Sequence, residues 1–185
     1  MSLMFCNGPD EALVALVVKQ FQEQISGFLG RTAIQKLCYF SRELRVPFSY
    51  RFSIYHYGPY SDDLASALDY MVADHVLVDT SPDRQRYSNF RLGPNASELL
   101  TRYRDAVKEW EETIVAVATA FGDLRPETLE LMATVHFAHQ RLKASGRTPT
   151  KENVVDEFRG EKGDKFNIEE IQRAYRALKE ARVLE

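Results

Sequence analysis

The chain has 185 residues, enough for one well-buried domain or two small ones. Hydrophobic residues make up 44% and charged residues 28%, a balance that builds a core and excludes a disordered chain. The formal charge of −3 gives no overall pull toward nucleic acid, the longest apolar run (Ala12 to Val18) is far too short to span a bilayer, and two cysteines make no disulfide framework.

Charge is unevenly spread. Residues 1–140 carry 13 Lys/Arg against 18 Asp/Glu, whereas residues 141–185 carry 11 against 9, so a polyanion would prefer the C-terminal end. With no basic segment leading into an apolar stretch at the N-terminus, the expected location is a reducing cytoplasm, with no membrane partner.

A first helix is expected from Pro9, with Asp10 and Glu11 in its first turn and Leu13, Leu16, Val17, Phe21 and Ile25 as its buried stripe. Gly27 and Gly30 end it. A second helix reads RTAIQKLCYFSREL, with Ile34, Leu37, Cys38 and Leu44 inward and Pro47 just past its end. Alternation between Phe48 and Tyr57 predicts a short strand, and Gly58-Pro59 a turn. Ser61 then caps a helix whose core side is Leu64, Leu68, Met71 and Val72. Val76 to Asp79 and Tyr87 to Leu92 are expected to pair around a turn containing Pro82 and Asp83. Helix, strand, helix and hairpin follow one another in winged-helix order.

From Ser97 to Phe121 a long helix is predicted. Leu100, Tyr103, Val107, Trp110, Ile114, Val117 and Phe121 alternate spacings of three and four, a heptad seam that needs a partner. The partner is either a flanking helix of the same chain or a second copy, in which case Tyr103, Val107, Trp110, Ile114 and Val117 form a homodimer seam. Pro126 opens the next helix, Thr150 caps one running to Phe158, residues 160–164 read as a charged loop, and Asn167 with Glu170 forms a capping box for the last helix. The expected fold is therefore mainly α: a winged-helix-like domain with a small β-hairpin (residues 4–95), a long connecting helix (96–122) and a C-terminal three-helix, helix-turn-helix-like domain (123–185).

The helix after Ser61 would enter the major groove in a DNA reader, but its outer side is acidic, whereas groove insertion needs cations and amide side chains. Tyr57, Tyr60, Asp62, Asp63, Ser66 and Asp69 are instead candidates for binding a protein. For nucleic acid the candidates are Arg84, Arg86 and Arg91 on the hairpin and Arg173, Arg176 and Lys179 on the last helix, each set reading equally as solvated surface. His136 and His139 share a helix face without a matching ligand set, His56 sits among aromatics in a turn, and no nucleophile elbow or phosphate loop occurs. No catalytic, metal or cofactor residues are expected.

The segments GRTAIQKLCYFSREL and YRFSIYHYGPYSDDLASALDYM resemble the YwgA-like bacterial and archaeal proteins, in which a Q-K-L-x-Y-F helix leads to an aromatic strand and a Y-G-P-Y-S turn. The residues in register are Gln35, Lys36, Leu37, Tyr39, Phe40, Tyr57, Gly58, Pro59, Tyr60 and Ser61. More distantly, the stretch is similar to the Panacea (SocA-like) antitoxin domain. The first resemblance implies mostly a fold; the second implies toxin neutralisation or adaptor-like binding of a protein partner. On this basis the chain is expected to be a non-enzymatic protein-interaction or regulatory module, antitoxin-like or an adaptor, able to form a homodimer. The alternative is a DNA-binding transcriptional regulator using the hairpin and the basic last helix.

Overall fold

The computed structural model describes residues 3–25, 27–81 and 87–184. It is mainly helical, with two small antiparallel ribbons, and it divides into two compact units. One comprises Met1–Phe52 and Ser61–Leu124; the other comprises Ser53–Tyr60 and Arg125–Glu185.

The first unit is built around α1 (Pro9–Gln24), in which every residue from Ala12 to Val18 is buried. A helix apolar on all sides belongs in a core, and α1 is covered by α2 (Arg31–Glu43), α4 (Ala96–Arg102), α5 (Arg104–Phe121) and the strand β4 (Phe90–Leu92). Pro9 occupies its first position and the Glu11 carboxylate accepts the Gly8 N–H at 3.0 Å. Phe40 of α2 stacks on Phe121 of α5 with centroids 3.9 Å apart. The start of α3 (Asp62–Ala73) is fixed twice: the Ser61 hydroxyl accepts the Leu64 N–H, and the buried Gln35 amide exchanges two 2.9 Å hydrogen bonds with the Ser61 backbone. That exchange gives Gln35 and Ser61, both in the resemblance motif, a purely structural task.

After α3, His75 at φ 54° reverses the chain into β3 (Leu77–Asp79), which pairs with β4 in the register Leu77↔Leu92, Val78↔Arg91, Asp79↔Phe90. Gly93 closes this ribbon because a Cβ there would lie 2.2 Å from the His75 carbonyl oxygen. The helix predicted over 97–121 is two helices, interrupted at Tyr103 (φ −112°, ψ 31°), whose hydroxyl donates to the Asn7 carbonyl.

In the second unit α6 (Pro126–Ala144) is covered by α7 (Lys151–Lys162), α8 (Ile168–Glu180) and a ribbon of β1 (Ser53–Tyr55) and β2 (Gly58–Tyr60). The expected caps are present: Thr150 accepts the Asn153 N–H, and Asn167 and Glu170 cap α8 reciprocally. Two details differ from expectation. The strand predicted over 48–57 shrinks to β1, and Gly58-Pro59 opens the strand that pairs with it, in the register Ser53↔Tyr60, Ile54↔Pro59, Tyr55↔Gly58. The positive φ of Gly58 (84°) lets the chain double back after only His56 and Tyr57. Helix α7 also continues through Gly160 into the predicted charged loop and stops at Gly163, φ 58°.

Candidate functional site

The ribbon β1–β2 presents three aromatic side chains at its tip, and the second unit holds that tip from beneath. Tyr55 is 57% exposed and Tyr57 61% exposed, values far above those of most tyrosines in a folded chain, with His56 exposed between them. The Tyr55 ring lies 4.4 Å from the His56 ring and 5.6 Å from the half-buried Tyr60 ring.

Beneath the tip, the Lys162 ammonium donates to the carbonyl oxygens of Tyr55 (2.7 Å) and His56 (2.5 Å) and reaches Glu130 Oε1 at 3.3 Å. An ammonium has three N–H donors, so this set matches its full capacity. The side chains of Lys162 and Glu130 are only 5% and 3% exposed. A buried charge is tolerable only when paired and hydrogen-bonded, and here it is both. Burial holds the Lys162 ammonium below the usual lysine range, with Glu130 opposing that shift. Lys165 completes the cluster: its ammonium donates to both Glu130 oxygens at 2.7 and 2.8 Å and stands 4.9 Å from the Tyr57 ring centre and 5.8 Å from that of Phe166. Lys165 is 38% exposed. Phe166 in turn lines an open cleft of about 530 Å³ with Arg159, Asp164, Asn167, Ile168 and Glu169.

Exposed rings on a turn pinned by buried charge, beside a partly exposed ammonium, can stack on a flat group and neutralise an anion next to it. Helix α7 supplies Lys162 at its last turn, α6 supplies Glu130 one turn from its start, and Lys165 follows in the connection to α8.

Of the protein-interaction candidates, Tyr57 and Tyr60 lie on this ribbon in the second unit, while Asp62, Asp63, Ser66 and Asp69 are exposed on α3 in the first. Asp69 is paired with Arg31 at 2.5 Å. Arg91 is exposed on β4; Arg84 and Arg86 lie outside the described residues. Arg173, Arg176 and Lys179 are exposed on α8, opposite the buried Ile171, Ala174 and Leu178. Of the seam residues, Ile114 and Val117 are buried within the first unit, where α5 lies along α1, and Tyr103, Val107 and Trp110 are half-buried. The buried His136 sits 3.2 Å from the Val183 carbonyl oxygen, and burial lowers its imidazole to about 4. Among the described residues no group of three or more His, Cys, Asp or Glu is placed to hold a metal.

Sequence reasoning singled out none of Lys162, Lys165 and Glu130. Their contacts join positions 32 to 107 apart, and no local spacing announces such a cluster. The one available signal was compositional: two lysines flanking Gly163-Asp164, one of them inside the segment read as loop and one just past it.

In class, then, this is a mainly helical protein with two short antiparallel ribbons, and among its described residues no helix is long and apolar enough to cross a membrane. No family model matches the chain. It is similar to the DNA ADP-ribosyl glycohydrolase of Thermus aquaticus, 33% identical over 111 residues. The match takes in 60% of this chain, which spans only 30% of the length of that relative.

That similarity corrects the functional expectation. A non-enzymatic interaction or regulatory module, and equally a transcriptional regulator, is at odds with a relative named for glycosidic hydrolysis. The expectation failed because it searched for short catalytic motifs, whereas glycosidic hydrolysis needs no such motif and draws on single residues brought together by the fold.

Proposed function

We propose that this chain serves the removal of ADP-ribose from DNA. The observation that carries the reading is the 33% identity over 111 residues with a DNA ADP-ribosyl glycohydrolase. The aromatic tip is consistent with it, since an ADP-ribosylated strand offers nucleobases and phosphates, the flat and anionic groups that exposed rings and an ammonium accommodate. In this reading Glu130, with both oxygens taken by Lys165, anchors the two lysines and so fixes the surface that meets the strand.

On the fold, the same proposal takes α2, α3 and the β3–β4 ribbon as a winged-helix-like arrangement of the YwgA-like type, acting in the cytoplasm. The order of these elements and the Gln35–Ser61 tie support it.

The test is direct. An ADP-ribosylated oligonucleotide is incubated with the purified protein and free ADP-ribose is followed chromatographically, alongside retention of the modified and unmodified strands. Release of ADP-ribose, with preferential retention of the modified strand, is expected. Neither release nor preferential retention would overturn the proposal.

A further inference from the structure

We propose that the Tyr55-His56-Tyr57 tip, with Lys165, is a nucleotide-binding site: a flat base stacks on the tyrosine rings and the adjacent phosphate meets the Lys165 ammonium. The proposal rests on the proposed function only for the choice of probes; the geometry stands independently.

Three features converge on it. First, Tyr55 and Tyr57, two positions apart on one turn, leave more than half of their surface in water, although burying an aromatic ring is favourable. Second, the turn is tied down from beneath. A turn whose only task was to reverse the chain would need no buried cation, yet Lys162 is taken out of solvent to bind two successive carbonyl oxygens of this one. Desolvating an ammonium is costly, and the result is a pair of rings presented without the entropy loss that ordering a loose loop would add on binding. Third, two ammonium groups share the single carboxylate of Glu130, so the cluster beside the rings keeps one net positive charge, the sign that pairs with a phosphate. Lys165 stands 4.9 Å from the Tyr57 ring centre, keeps part of its surface in solvent, and lies in the chain between Asp164 and Phe166, two of the residues that line the open cleft, with Arg159 as the cation on that lining.

Stacking on a ring does not depend on base identity, so the site reads a nucleotide by class, not by sequence. The shared chemistry, base plus phosphate, has two sources in an ADP-ribosylated strand: the adenosine diphosphate part of the modification and the nucleotides of the strand itself. The probes that separate them are free ADP-ribose and an unmodified single-stranded oligonucleotide of mixed sequence.

Binding of each probe is measured by calorimetry or fluorescence anisotropy for the wild type and for Tyr55→Ala, Tyr57→Ala, Lys165→Gln and Tyr70→Ala. Tyr70→Ala is the control, because Tyr70 is also about half exposed but lies on α3 in the other unit. Each tip tyrosine change is expected to weaken binding at least about fivefold, Lys165→Gln to weaken it and flatten its salt dependence, and Tyr70→Ala to leave it unchanged. Tyrosine-dependent binding of ADP-ribose supports the site with the modification as ligand. Tyrosine-dependent binding of the unmodified strand supports it with the strand as ligand. Absence of binding to either probe, or equal binding by the Tyr55→Ala/Tyr57→Ala double variant, overturns the site. Tyrosine-dependent binding without any release of ADP-ribose from modified DNA, or preference for it, overturns the proposed function while the site stands.

Discussion

The two ribbons have strands of the same length, three residues each, and the same antiparallel pairing, yet they are stabilised in opposite ways. A two-stranded ribbon is marginal on its own, so each must be held from outside. The β3–β4 ribbon is closed by an anion near its own loop: the Asp79 carboxylate accepts the N–H groups of Ser81 (3.0 Å) and Asn89 (2.9 Å), and Asn89 Oδ1 accepts the Leu29 N–H. The β1–β2 ribbon is held by a cation from a helix more than 100 residues later. Anchoring from beneath by a remote lysine leaves the β1–β2 tip free to point its rings into solvent.

The contrast can be broken most severely at Glu130. Glu130→Ala would leave the buried Lys162 ammonium without its carboxylate, and removing one partner of a buried pair typically costs about 3 to 5 kcal/mol. Urea denaturation should show that loss. Lys162→Met is expected to cost less, about 2 kcal/mol, because Lys165 still pairs with Glu130 and the defect is two carbonyls deprived of their donor. The same variant should speed amide hydrogen exchange at residues 53–60 more than elsewhere, and uniform protection would show that the ribbon does not depend on this anchor.

At the other ribbon the effect is smaller and depends on pH. Burial pushes the Asp79 carboxyl up, but hydrogen bonds from the N–H groups of Asn89 and Ser81 and from the Ser81 and Ser88 side chains together outweigh it and depress the carboxyl from its ordinary 3.8 to about 2. Since the folded value lies below the unfolded one, its stabilisation is fully present above about pH 4 and is lost as pH falls toward 2. Asp79→Asn should cost about 1 to 2 kcal/mol at neutral pH, with the difference from wild type vanishing near pH 2; a difference that persists at pH 2 would contradict the anchor. The smallest change is expected from Arg91→Ala. That side chain is exposed on β4, and its removal should alter stability by no more than about 0.5 kcal/mol in the same denaturation measurement.

Legibility from sequence follows the same division. The β3–β4 pairing, the Ser61, Thr150 and Asn167 caps and the Pro9 and Pro126 helix starts could all be read off the chain, because each depends on residues within a few positions of one another. The break at Tyr103 could not, since periodicity there continues unbroken and the hydroxyl is drawn to a carbonyl 96 positions away. The last turn of α7 escaped for a related reason. Gly160 weakens the local helical signal, and what rewards the continuation is Lys162 reaching Glu130 and the ribbon. Of the candidate site, Tyr57 was marked from its place in an aromatic turn, but the lysines and the carboxylate that make the turn a presented surface were not.

By itself the sequence determined the mainly helical class and most helix boundaries, because hydrophobic period and capping act over one or two turns. Only the tertiary structure decided that residues 53–60 pack with α6 in the second unit and that two distant lysines and one glutamate hold two tyrosines in solvent. Coulombic and hydrogen-bonding partners are chosen by distance in space, and that distance exists only once the chain has folded.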